Sequence, residues 1–121
     1  MPREFGRQRR VGAQIMRLLS ELLRTEVKDP ELAGVQISEV DLSGDLGVAK
    51  VYFSLLSPDD DPGPAIAAFE RARGFLRGRV GQALNLRRVP ELRFQFDTSS
   101  KRAFDLSKLI AEQSPKDASS D

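Results

Sequence analysis

Residues 64–85, PAIAAFERARGFLRGRVGQALN, decide how the rest of the chain is arranged. At ~100° per residue, six apolar residues fall within roughly 60° of Phe69, which predicts an amphipathic helix with one buried stripe: Ile66, Ala72, Leu76, Val80, Ala83 and Leu84. Arg73 lies only about 40° from the centre of that stripe, and burying an unpaired guanidinium is costly. Gly74 follows directly and permits a kink or a left-handed step. We therefore predict two short helices joined at Ala72-Arg73-Gly74.

Three glycines of the same stretch lie on the side opposite the apolar stripe. They are Gly74, Gly78 and Gly81, and the arginines that flank them are Arg71, Arg77 and Arg79. A face without side chains, with cationic arms on either side, would let the backbone of a polyanion approach the helix closely. Alternatively, the glycines pack closely against another protein segment, or are tolerated because tertiary contacts hold the helix. The spacing alone favours neither interpretation.

The segment Gly78-Arg79-Val80-Gly81 matches the GxxG loop with which KH domains clamp a nucleic-acid backbone. A break at this point would leave only residues 82–85 as the second helix, which is too short to cover a sheet. It would also place Val80 in a loop. We therefore predict that this segment is ordinary helix and that the division lies at residues 72–74.

The composition excludes several kinds of chemistry. The chain has 121 residues, 40% of them hydrophobic, which suits one domain with a modest core. It contains neither Cys nor His, so thiol nucleophiles, Ser–His pairs and the usual zinc ligands are ruled out. The consecutive aspartates 59–61 would seldom converge on one ion, and we assign them to loop solvation. With no apolar run for a signal peptide or membrane span near the N-terminus, we expect a cytoplasmic protein that is not an enzyme and has no cofactor, metal or membrane partner.

The net charge of +1 conceals a strong asymmetry along the chain. The segment 71–93 contains seven arginines and only one acid, Glu91, so it carries +6 and the remainder carries −5. Arginine binds phosphate with a planar fork and stacks on bases, which favours nucleic-acid contact over a merely solvated helix face. The candidate RNA-binding residues are Ala72, Arg73 and Gly74 at the predicted kink, with Arg71, Arg77, Arg79, Arg87, Arg88, Arg7 and Arg10.

Periodicity and helix-breaking residues predict the remaining elements. We expect residues 1–9 to form a mobile basic arm, and a helix with an apolar stripe to run from Arg10 to near Val27, where Lys28-Asp29-Pro30 stops it. β-Branched and aromatic residues predict an antiparallel hairpin of 35–42 and 48–56, and a third strand at 92–96. A last short helix should span 102–112, and the tail 113–121 should be disordered.

These elements give an α+β fold in a single domain over residues 10–112. The order is α-β-β-α-kink-α-β-α, and the three-stranded sheet should carry its helices on one face. The inner strand-helix-helix-strand portion matches the core of a KH-like (type II) RNA-binding domain.

Five motifs occur between about Arg3 and Ile110 in a specific combination: Phe5-Gly6-Arg7 with Arg10-Val11, Lys28-Asp29-Pro30 with Leu32, Asp45-Leu46 with Ala49-Lys50-Val51-Tyr52, Ala72-Arg73-Gly74, and Arg88-Val89-Pro90-Glu91-Leu92 before Phe94 and Asp97. With these motifs the sequence resembles the ribosome-binding factor A family. In that family an Ala-x-Gly kink replaces the GxxG loop. The resemblance implies a factor that binds the small (30S) ribosomal subunit during late maturation of its 16S rRNA, with a role in cold adaptation. Gly78 and the aspartate loop lie outside the family pattern.

Two kinds of function remain open at this point. The first is a non-catalytic, monomeric binder of precursor 16S rRNA in the small ribosomal subunit. The second is a protein-docking module that recruits another assembly factor, such as a GTPase, through the mixed face of the sheet or the acidic loop. Salt dependence discriminates between them, because phosphate contacts weaken steeply with added salt.

Overall fold

The computed structural model describes residues 3–57 and 59–99. Helix α1 spans Arg3–Thr25 and buries one stripe of side chains at helical spacing. The buried residues of this stripe are Val11, Ile15, Leu19 and Leu22. After α1, Asp29 caps a short 3₁₀ turn, Pro30–Leu32, by accepting a hydrogen bond from the N–H of Glu31.

The start of α1 differs from the sequence expectation. Residues 3–9 are helical instead of forming a mobile arm, because nothing interrupts the helix before Arg10 and Gln8 anchors its first turns. The Gln8 side-chain amide donates to the carbonyl of Leu42 at 2.9 Å, which joins the start of α1 to the end of the first strand. The division of the chain into arm, domain and tail at residues 10 and 112 stays a prediction.

The sheet has three strands in the order β1-β2-β3. The strands are β1 Val35–Leu42, β2 Val48–Leu55 and β3 Glu91–Phe96. The predicted antiparallel hairpin is confirmed, with Val35 opposite Leu55 and Leu42 opposite Ala49. Strand β3 pairs with β2 in parallel, so the chain crosses the sheet between them through one long helix. Alternation along β2 sends Ala49, Val51 and Phe53 into the core with no exposed surface.

Helix α2 spans Gly63–Leu84 without interruption. The predicted kink at Ala72-Arg73-Gly74 is therefore wrong, and no described glycine has a positive φ. The physical reason is the reach of the arginine. The side chain of Arg73 is 42% exposed and its guanidinium pairs with Glu70, three residues earlier, at 3.0 Å. The aliphatic stem of an arginine can cover apolar surface while its charge reaches water, so the helix continues through Arg73 without interruption.

The core lies between the sheet and the two helices, which pack on one of its faces as expected. Phe69 of α2 stacks on Phe94 of β3 with ring centroids 4.4 Å apart, and approaches Phe53 of β2 at 5.0 Å. The α+β fold with a three-stranded sheet is confirmed. The predicted helix at 102–112 and the tail lie outside the described residues. Within residues 3–57 and 59–99, no helix is long and apolar enough to cross a membrane.

Candidate nucleic-acid interface

The solvent-facing side of α2 combines bare backbone, an aromatic ring and two cations. We call this surface the α2 outer face, and it consists of Arg71, Gly74, Phe75, Gly78 and Arg79. Arg71, Phe75 and Arg79 are spaced i, i+4, i+8, so they form one ridge along the helix. Gly74 and Gly78 form the adjacent row. Both glycines are exposed, and a Cβ atom at either position would meet no other heavy atom within 4 Å beyond the helix's own backbone.

Phe75 is the member of this surface that the sequence interpretation missed. Its side chain is 47% exposed, although three other phenylalanines pack into the core. The guanidinium of Arg79 lies over the Phe75 ring, with Cζ 5.7 Å from the ring centroid. The signal was present in the sequence, because Phe75 lies about 120° from the buried stripe and four residues from an arginine on each side.

Both arginines of the ridge are held by acids that follow the end of α1. Arg71 Nη2 lies 2.7 Å from Asp29 Oδ2, and Arg79 pairs with Glu26. The hydrogen bond from Arg71, with one from the N–H of Glu31, lowers the pKa of Asp29, and the hydrogen bond to Glu26 raises the pKa of Arg79. Asp29 and Glu26 lie far from α2 in sequence but beside it in the fold. The local positive charge around segment 71–93 is therefore smaller than the +6 of its own composition. Each guanidinium has five N–H donors, so one ion pair leaves several donors for a phosphate.

Arg73 and Arg77 lie on the opposite flank of α2, towards β3. The Arg77 side chain donates to the carbonyl oxygens of Val89 at 2.8 Å and Pro90 at 3.2 Å, which fixes the segment that enters β3. Arg73 is engaged by Glu70, as described above. The structure therefore gives Arg77 a clear structural task and separates this pair from the ridge.

Three of the remaining candidate arginines, Arg7, Arg10 and Arg88, lie at the end of the molecule where β1 turns into β2. The Gln8 bond to Leu42 brings the exposed Arg7 and Arg10 of α1 to this end. The guanidinium of Arg88 lies against Gly47, with Nη2 3.1 Å from the position that a Cβ atom would occupy at that glycine. Arg87 is exposed and makes no hydrogen bond or ion pair with the described part of the chain. The predicted residues thus divide into the α2 outer face, the Arg73–Arg77 flank and the arginines near the β1–β2 turn, and only the α2 outer face contains an exposed aromatic ring.

The glycine row is shorter than the spacing indicated. A Cβ atom at Gly81 would lie 2.7 Å from Val89 Cγ2, so this glycine allows close packing against the segment before β3. Gly74 and Gly78 alone belong to the open face. The prediction that residues 78–81 are ordinary helix is confirmed, and Val80 is fully buried.

Acidic side chains do not assemble into a metal site within the described ranges. In the aspartate loop, Asp61 Oδ1 accepts a hydrogen bond from the N–H of Gly63 at 3.0 Å, at the start of α2. This carboxylate therefore serves the loop and the helix N-terminus, where negative charge is favourable.

Comparison with known proteins places this chain in a family. Residues 7–110 match the family model described as Ribosome-binding factor A. The ribosome-binding factor A of Alkalilimnicola ehrlichii is 48% identical over 97% of this chain and 91% of its own length. That of Thioalkalivibrio sulfidiphilus is 44% identical over 91% and 85%.

Two structures of the Thermus thermophilus factor extend the comparison. The crystal structure of ribosome-binding factor A from this organism is 28% identical, covers 73% of this chain and 93% of its own, and superposes with a TM-score of 0.64. A homology model of the T. thermophilus factor, fitted into the cryo-EM map of a 30S complex, is 30% identical over 73% and 92%, with a TM-score of 0.60.

Proposed function

Because this chain belongs to the ribosome-binding factor A family, we propose that it binds the small ribosomal subunit through its rRNA. The observation that carries the proposal is the family match over residues 7–110, together with a similar factor from T. thermophilus that was fitted into a 30S complex. The fold supports a binding role, because its helices, sheet and charged surface offer a platform for a large polyanion.

The α2 outer face is the surface that we assign to the rRNA. It carries two arginines that are held by ion pairs and whose side chains remain partly exposed, 59% for Arg71 and 35% for Arg79. Fixed arginines lose little side-chain freedom on binding a phosphate. Because Gly74 and Gly78 carry no side chains, the sugar-phosphate chain can approach the helix backbone beside the ridge. Arg7, Arg10, Arg87 and Arg88 extend the positive potential towards the β1–β2 end.

We further infer that the chain assists late maturation of 16S rRNA. It does so without catalysis, in the cytoplasm, and with particular importance in the cold. Binding energy supplied to one arrangement of the rRNA shifts the population of folded precursors, which is a function that needs no chemical step. RNA alternatives exchange more slowly at low temperature, so such a binder has most effect in the cold.

Co-sedimentation with purified subunits tests the proposal. The chain should pellet with small subunits and not with large subunits, and its affinity should fall linearly with salt on a log–log scale, by roughly 0.7 to 0.9 units for each phosphate contacted. Absence of binding to small subunits at low salt, or equal binding to both subunits, contradicts the proposal. An affinity that does not change with salt concentration would instead favour docking to a protein.

A genetic test addresses the maturation role separately. In a bacterial strain without its own family member, expression of this chain should reduce the accumulation of precursor 16S rRNA and restore growth in the cold. Normal subunit binding without this rescue would refute the maturation role and leave the binding role standing.

A further inference from the structure

We propose that Phe75 is a stacking platform for an unpaired base of the rRNA, and that Arg71 and Arg79 contact the phosphates on either side of that base. The inference rests on the proposed function and deepens it, since it names the kind of nucleotide that the α2 outer face accepts.

The ring of Phe75 is exposed in an otherwise polar neighbourhood. Phe75 and Leu56 are the two large hydrophobic side chains that stand exposed among the described residues. Leu56 follows the end of β2 beside the aspartate loop, whereas Phe75 lies within the arginine ridge. An aromatic ring between cations suits a nucleotide, because the base supplies a π-face and its phosphates supply negative charge.

The helix surface beside the Phe75 ring is open to a flat group. Gly78 lies three residues after Phe75 and Gly74 directly precedes it, and neither carries a side chain that would block a flat group. A base that stacks on Phe75 can therefore bring its ribose against the helix backbone. Any larger side chain at Gly78 would hold the ribose away from it.

The ridge of Arg71, Phe75 and Arg79 is already ordered by contacts within the protein. Asp29 holds Arg71 and Glu26 holds Arg79, and the Arg79 guanidinium also lies over the aromatic ring. Stacking, cation–π contact and phosphate binding are then available in one place without further ordering of the protein. A surface built only for solubility has no need of the exposed ring.

Substitutions at Phe75 separate base stacking from a general apolar contact. The chain contains no Trp, so Phe75→Trp introduces a single tryptophan at the platform. With purified small subunits as the probe, Phe75→Tyr and Phe75→Trp should bind within about twofold of the unsubstituted chain, and the Trp emission should be quenched on binding. Phe75→Leu should lose at least about fivefold in affinity at every salt concentration, because stacking is lost while apolar character remains.

The salt slope supplies the second readout. Phe75→Leu should keep the slope of the unsubstituted chain, since no phosphate contact is removed, whereas Arg71→Gln should flatten it by roughly one unit. Leu56→Ala is the matched control for loss of an exposed hydrophobic side chain and should change neither quantity. The urea midpoints of the Phe75 variants should match that of the unsubstituted chain.

Unchanged binding by Phe75→Leu would overturn the proposal, as would an unquenched Trp in a bound complex. Loss on Phe75→Ala with full retention in Phe75→Leu would also overturn it, because that pattern identifies a ribosomal protein's apolar surface as the partner. Failure of the unsubstituted chain to bind small subunits would instead refute the proposed function itself.

Discussion

Alanine should stabilise the fold at Gly78 and destabilise it at Gly81, although both glycines belong to the same helix. At Gly78 the new methyl group meets open solvent, so the substitution gains helix propensity and restricts the unfolded chain, for a total of about 0.5–1 kcal/mol. At Gly81 the same gain is opposed by a contact of 2.7 Å with Val89 Cγ2. Val89 is β-branched and half-buried, so it yields little, and overpacking typically costs about 1–3 kcal/mol.

Urea unfolding of the two variants and of Gly74→Ala measures these differences directly. With a denaturant slope of about 2 kcal/mol per molar, Gly78→Ala should raise the midpoint by roughly 0.25–0.5 M. Gly74→Ala should do the same, because its Cβ atom also meets open space. Gly81→Ala should lower the midpoint, since the cost of the contact with Val89 exceeds the propensity gain.

A destabilised Gly78→Ala would refute the reasoning for an ordinary helix and would revive the GxxG loop. A destabilised Gly74→Ala would refute the continuous helix and restore the interruption predicted from the sequence. A stabilised Gly81→Ala would show that the segment before β3 moves aside easily, so that Gly81 is not needed for close packing.

Two further predictions concern charged side chains, and each has a matched control. Arg77→Ala should cost about 1–2 kcal/mol of unfolding free energy, because it removes two hydrogen bonds to the carbonyls before β3, whereas Arg87→Ala should stay within about 0.5 kcal/mol. Because Arg71 and a backbone N–H lower the pKa of Asp29 in the folded state, the stability that this carboxylate contributes is present above its unfolded pKa of about 3.9 and is lost as the pH falls through the lower folded value. Asp29→Asn should therefore flatten the acid limb of a stability–pH profile, with Asp60→Asn as the control for loss of one loop carboxylate.

Local patterning was sufficient for the strands and for the buried stripe of α1, and for the centre of the α2 stripe at Phe69, Leu76 and Val80, whereas Ala83 is exposed. The alternation in β2 identified Ala49, Val51 and Phe53 as one face, and all three are buried. Such patterns succeed because each depends on neighbours within a few residues, where backbone geometry fixes the direction of every side chain.

The predicted kink failed because a helical wheel treats a side chain as a point. Arg73 lies near the apolar stripe by angle, yet its guanidinium reaches Glu70 and solvent. The wheel likewise placed Gly81 on an open face, because it contains no information about Val89, which the returning chain brings against the helix. Local periodicity contains no information about the length and flexibility of a side chain. It also contains none about distant segments of the chain that pack against the helix.

The candidate site was predicted in part for the same reason. Arg71 and Arg79 were identified from charge, but their partners Asp29 and Glu26 lie more distant along the chain and become neighbours only in the folded structure. The spacing of Phe75 places it on the outer face, although phenylalanine is ordinarily a core residue. Its exposure is what gives the α2 outer face a feature suited to a base.

Ultraviolet crosslinking of the chain on purified small subunits, followed by mass spectrometry of the peptides that carry a nucleotide, would locate the rRNA contact on the protein. Nucleotide adducts are expected within residues 71–79 of α2, on or beside Phe75. Adducts confined to the open face of the sheet, at Lys50, Tyr52 and Arg93, would contradict this expectation and would move the rRNA contact to the opposite side of the molecule.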